Sequence, residues 1–315
     1  MKNSLKIFAI AALAMFIITL PDVFSQTEVN SYGPVPVGDG YGHKSNQNYT
    51  DGPLAGLNVY SWEGVNQDFA YFDATLPGTV IPIVSYPSTN FLNAVEMVAG
   101  DNTKLYAVDH AGTVLLVDLN TATVQTLGVI AVSGEVIGIA LEYSSGTYYI
   151  CTSADNLYTV DFNTLTTQYI GNFGTNSYFM IGITFDDQGN LWGYDLALDV
   201  FFSINKLNGL ATAIGPIGFD ANYGQGLGWD PDLKKVVMCA FNNSTFHAEY
   251  RWVNTATGAT TFLGFIGDPA VQMQQFTSCA IPRYDPNVIP ISNWALFIGI
   301  GLILAFAMIR FRKLS

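Results

Sequence analysis

The chain has 315 residues, half of them apolar, with 25 Asp and Glu against 12 Lys and Arg, and only three His and three Cys. That length and apolar content allow a sizeable buried core, while a formal charge of −13 opposes binding to nucleic acid or anionic lipid and favours cations, basic partners or simple solubility. No Cys-x-x-Cys or Cys/His metal spacing is present, and neither His110 nor His247 lies in a nucleophile motif.

In chain order the first element is residues 1–25. Lys2 and Lys6 precede an uncharged apolar run over residues 7–20, and Val23-Phe24-Ser25 precedes Gln26. This is the pattern of a secretory signal peptide cut after Ser25, since the run is short of the ~20 residues a membrane span needs. Export is therefore expected. Residues 26–56 are rich in Gly, Pro, Asn and Ser and read as a linker or arm.

Residues 57–283 read as strands throughout. Ala94, Gly138, Gly182 and Gly226 each open a run of β-formers, and they recur every 44 residues. In the first unit the strands are residues 94–97, 105–108, 113–118 and 123–128, and three further units repeat them. Asp118-Leu119-Asn120-Thr121 and Asp161-Phe162-Asn163-Thr164 join third strands to fourth as Asx-type hairpin turns. Four short strands at this period make a blade of a β-propeller. Two pieces are left over: residues 57–86, which lack an inner strand, and Ser278-Cys279-Ala280-Ile281-Pro282, which is an inner strand without a blade. They complete each other, so the expected fold is all-β, a single propeller of five blades whose N- and C-terminal strands share one blade. Cys151, Cys239 and Cys279 sit in apolar strands and read as buried thiols, with a Cys239–Cys279 bridge open if neighbouring blades bring them together.

Ligands of propellers meet the loops between blades. Three residues before each blade stand Phe91, Glu135, Phe179, Tyr223 and Gln275, with Tyr178 beside them. Aromatic rings next to amides suit a glycan or a peptide, stacking one face and bonding an edge. The same rings could instead plug the channel mouth. The turns between second and third strands carry Glu63, Asp68, Asp109, His110, Asp155, Asp195, Asp199 and His247. No cofactor is expected, and Ca²⁺ is the cation such an acidic rim could hold. The repeat resembles propellers of the YVTN/lactonase and WD40 kinds. For the lactonase kind the resemblance implies a metal at the channel mouth, with Glu63, Asp109 and Asp195 as candidates, so a metal-dependent lactonase-like hydrolase is the alternative to a binding or adhesion module.

Residues 284–293 form a short linker, and residues 294–309 are an uncharged apolar run, read as a transmembrane helix of about 24 Å. Arg310, Arg312 and Lys313 follow it as a stop-transfer signal, placing the tail, residues 310–315, in the cytoplasm and the body outside. Ile289-Pro290-Ile291-Ser292-Asn293-Trp294, the apolar run and the basic tail together resemble the C-terminal sorting signals of bacterial surface proteins, the PEP-CTERM and IPTL-CTERM class. The chain departs from that class in lacking Pro-Glu-Pro and in placing three residues between its Pro and its Trp. The resemblance implies an exosortase-like membrane enzyme as partner, and a place in the cell envelope or at the cell surface; a plain tail anchor is the alternative. Without residues 1–25 and 310–315 the body keeps 24 acidic and 7 basic residues, a charge of about −17.

Overall fold

The structure is a computed structural model that describes residues 58–175 and 177–283. The signal peptide, the arm, the sorting motif and the helix expected over residues 294–309 lie outside the described residues. Among the described residues no helix is long and apolar enough to cross a membrane.

Among the described residues, nineteen strands form five antiparallel sheets. The partial sheet comes first, with β1 (Asn58–Glu63), β2 (Asp68–Asp73) and β3 (Leu76–Ser85). Blade 1 is β4 (Leu92–Val98), β5 (Asp101–Asp109), β6 (Thr113–Asp118) and β7 (Thr123–Val129). Blade 2 is β8 (Val136–Glu142), β9 (Thr147–Thr152), β10 (Asn156–Asp161) and β11 (Thr166–Asn172). Blade 3 is β12 (Met180–Phe185), β13 (Leu191–Asp195), β14 (Val200–Ile204) and β15 (Ala211–Pro216). Blade 4 is β16 (Gly226–Asp230), β17 (Lys235–Asn242), β18 (His247–Val253) and β19 (Thr260–Phe265). Strand order within every blade follows the chain, so each is a meander.

The partial sheet is completed by residues 275–281, as the leftover pieces predict. Tyr60 and Ala280 exchange both backbone bonds, N to O at 2.8 and 3.0 Å, and Gly64 N donates to Gln275 O at 2.9 Å. Ring closure is read from packing. Five blades in a closed ring have five seams, and a stack left open would have four. Among the described residues five apolar clusters are present, one in each seam: Val108 with Ile139, Tyr149 with Phe185, Tyr194 with Met238, Tyr250 with Phe72 and Cys279, and Trp62 with Leu105 and Ala280. The repeated burial of aliphatic and aromatic side chains between sheets is what the 44-residue pattern encodes.

Inner strands are covered on both faces and both edges, so β8 is buried at all seven positions, whereas the outermost β7 is half-buried or exposed along its length. The spaced glycines follow from this crowding. A Cβ on Gly138 would lie 3.1 Å from Ile181 O, and one on Gly226 would strike the backbone of Ser278. Each complete blade also carries a β-bulge in its outer pair, at Leu127, Ile170, Ile214 and Leu263, each followed by a glycine. Against Gly171 and Gly215 pack the hairpin backbones of the next blade, around Asn208 and Thr257. Cys151, Cys239 and Cys279 are buried free thiols, and Cys239 and Cys279 do come into one seam without a bridge.

Candidate functional site: the inter-blade loop face

One face of the ring is built from the inter-blade loops, residues 86–91, 130–135, 173–179, 217–225 and 266–274, and the turns between second and third strands. The last residue of each second strand is Glu63, Asp109, Thr152, Asp195 or Asn242. Four of these close their own turn. Val65 N and Asn66 N donate to Glu63 at 2.9 and 2.6 Å, Thr113 N to Asp109 at 2.8 Å, Ala197 N to Asp195 at 2.8 Å, and Ser244 N to Asn242 at 2.9 Å. Asp109 and Asp195 also hold the neighbouring loop. Asn90 Nδ2 donates to Asp109 at 3.2 Å, while Ser177 Oγ, Tyr178 N and Phe179 N donate to Asp195 at 3.0, 2.5 and 2.6 Å. Asp155 receives Ser177 Oγ at 3.3 Å.

These clasps are buried and crowd like charges. Burial pushes the Glu63 carboxyl above its ordinary 4.5, the N–H groups of Asn66 and Val65 work against it, and Asp68 adds to it. Burial likewise raises Asp155 above 3.8, against the N–H of Met180 and with the charge of Asp195 adding. The His110 imidazole is pushed below 6.5 by burial, against the opposing pull of Glu135 and Asp109.

The predicted ligand residues separate into two groups. Phe91 is half-buried, its ring edge-on to Trp62 at 5.2 Å and tilted to His110 at 5.7 Å. Gln275 is buried, accepting Gly224 N at 3.1 Å, and Phe179 is half-buried between two seam clusters. Tyr223 is half-buried edge-on to Phe241 at 5.1 Å and holds φ at +58°, a strained left-handed conformation for a bulky residue. Tyr178 and Glu135 stand apart from these packing contacts: Tyr178 is 57% exposed, and the Glu135 carboxylate has His110 Nδ1 at 3.6 Å. His247 braces its loop, with its ring nitrogens 2.6 and 2.8 Å from Thr245 O and Pro269 O. Among the described residues no three His, Cys, Asp or Glu side chains gather closely enough to hold a metal ion.

Sequence reasoning missed the odd member of the clasp column. Thr152 pairs with Val136 as Asp109 pairs with Leu92 and Asp195 with Met180, yet its Oγ1 is buried with no hydrogen-bond partner in the chain. The same holds for Asn93 Oδ1 and His110 Nε2 in blade 1. Aligning the second-strand ends would have exposed Thr152. Charge is also partitioned between the faces. The loop face carries Glu63, Asp68, Asp109, Glu135, Asp155, Asp195, Asp199, Asp220 and Asp268, and its segments hold no Lys or Arg. Lys104, Lys206, Lys234 and Lys235 belong to the hairpins of the opposite face, and Arg251 is held in β18 by Glu249 at 2.5 Å.

No family of known sequences matches this chain, and no curated protein does. Solved structures do. A chain of the nidogen/laminin complex matches with a TM-score of 0.50 at 15% identity, over 72% of this chain and 82% of that one. A structural-genomics protein of unknown function from Bacteroides thetaiotaomicron VPI-5482 gives 0.49 at 13% identity, over 72% and 62%. Virginiamycin B lyase from Staphylococcus aureus gives 0.42 at 10% identity, over 66% of each. At these identities the likeness is one of fold.

Proposed function

We propose that this protein is an exported, envelope-tethered propeller that serves as a binding module, offering its inter-blade loop face to an extracellular glycan, peptide or protein. The observation that carries the reading is the Asp195 clasp. Three donors from Ser177, Tyr178 and Phe179 converge on one buried carboxylate oxygen, so the loop is held before any ligand arrives while the Tyr178 ring stays exposed. A preorganised aromatic on a braced loop lowers the ordering cost of binding. The candidate metal acids Glu63, Asp109 and Asp195 commit oxygens to N–H groups of their own turns, which favours binding over hydrolysis. The helix over residues 294–309 and its basic tail supply the tether, with Ile289 to Trp294 as the segment a sorting enzyme would read.

Labelled full chain applied to glycan and peptide arrays tests this. Specific binding that drops about tenfold on Tyr178→Ala, with unchanged thermal unfolding, is the expected result. Binding indifferent to Tyr178, or no binder at all, contradicts it.

A further inference from the structure

Each complete blade leaves a gap in its inner strand. Ala94, Gly138, Gly182 and Gly226 have little or no side chain, and paired with them in the second strand stand Val108, Cys151, Tyr194 and Cys239. A Cβ on Gly138 would lie 2.7 Å from Cys151 Sγ, and one on Gly182 would lie 2.9 Å from the Tyr194 ring and 3.2 Å from Leu227 Cβ of the next blade. The second-strand side chain therefore fills the gap and meets the inner strand of the next blade. Val108 shares a seam cluster with Ile139, Cys151 with Ile183, Tyr194 with Leu227 and Cys239 with Cys279. Only in the last of these four seams do both positions hold a thiol.

The closing strand, residues 275–281, runs directly over β16. A Cβ on Gly228 would lie 3.1 Å from Cys279 Cβ, and one on Gly226, the partner of Cys239, would strike the Ser278 backbone. Cys239 and Cys279 are 1% and 3% exposed, and the Cys239 thiol acts directly on that of Cys279. Cys151 stays apart, its Sγ donating to Met180 O at 3.4 Å in another seam. We infer that Cys239 and Cys279 are a disulfide site, oxidised while the exported chain folds. This rests on the export part of the proposed function, because disulfides persist in oxidising compartments. Both thiols are buried in the closed ring, and burial raises that of Cys279 well above its ordinary 9.0, so the bond is made while the closing strand is still docking. The oxidant is another disulfide, RSSR. One protein thiolate attacks it and expels RS⁻, the second attacks the mixed disulfide and expels the other, and the two thiol protons leave with them as 2 RSH, so the pair loses the two electrons that RSSR gains. The bond ties the closing strand to β17 of blade 4 and makes ring closure covalent.

Refolding the reduced full chain from urea with glutathione disulfide, against glutathione alone, tests the site. After alkylation in urea, the peptide map of the oxidised product should show a 239–279 disulfide and an alkylated Cys151. Its unfolding midpoint should lie above that of the reduced chain, a gain that Cys239→Ala abolishes and Cys151→Ala leaves in place. The same oxidant added to the folded, reduced chain should leave all three thiols free over the same time. Three free thiols after oxidative refolding, glutathione adducts alone, or bonds to Cys151 in equal yield would overturn the site. An exported chain recovered from cells with both thiols reduced would overturn it too. A 239–279 bond made on refolding, with the cellular chain reduced and its residues 1–25 uncut, would contradict the export reading and support the pairing.

Discussion

Asp195 combines three roles in one side chain: it closes its own turn, holds the loop after blade 2, and does both from a fully buried position. Removing it strands several buried N–H groups at once, each costing about 1–3 kcal/mol, so Asp195→Ala is expected to cost at least about 3 kcal/mol in urea unfolding and to free Tyr178. A loss below about 1 kcal/mol would show the loop to be held by something else. Turn acids such as Asp109 and Asp155 are legible in the sequence as turn formers. Their reach to Asn90 and Ser177 is not, because it depends on which loop the fold brings alongside. Phe91 and Phe179 are legible as a periodic aromatic set, whereas their packing against the seam clusters, and the separation of Tyr178 and Glu135 from those contacts, needs the seams.

At the scale of elements, the glycines that announce the repeat are contacts between inner strands. Gly226→Ala should push β16 away from Ser278 and cost about 1–3 kcal/mol, while Gly78→Ala on the exposed β3, whose new methyl would meet only Gly267 O at 3.8 Å, should change stability by less than about 0.5 kcal/mol. Equal effects from the two would remove the close-approach explanation. The strands and the shared blade were legible because period and leftover pieces agreed: β1 to β3 lacked an inner neighbour and residues 278–282 lacked a blade. The outer-strand bulges were also written in the sequence, as Leu127-Gly128, Ile170-Gly171, Ile214-Gly215 and Leu263-Gly264, but alternation alone reads such pairs as ordinary strand ends.

For the whole molecule, charge decides how stability follows pH. Glu63 and Asp155 are raised in the fold, so the stability they contribute is fully present below their ordinary values and is lost as pH rises through their folded ones. Asp118 and Asp161 are lowered by turn N–H groups, of Thr121 and Asn163 first, so their contribution holds above 3.8 and fades as pH falls further. The two windows do not coincide. Denaturant midpoints should therefore rise as pH falls from 7 toward the ordinary carboxyl values of 4.5 and 3.8 and drop as pH falls below 3.8, with Asp155→Asn flattening the first limb; a monotonic fall from pH 7 would contradict this. The ring itself is tested where its ends meet. Ser61 Oγ and Ser278 Oγ lie 3.3 Å apart in the shared blade, so the double variant Ser61→Cys, Ser278→Cys should close an intrachain disulfide under mild oxidation. A 61–278 crosslinked peptide in the mass-spectrometric map, with a raised unfolding midpoint, is the predicted result; reduced thiols at both positions, or crosslinks only between chains, would contradict the closed five-bladed ring.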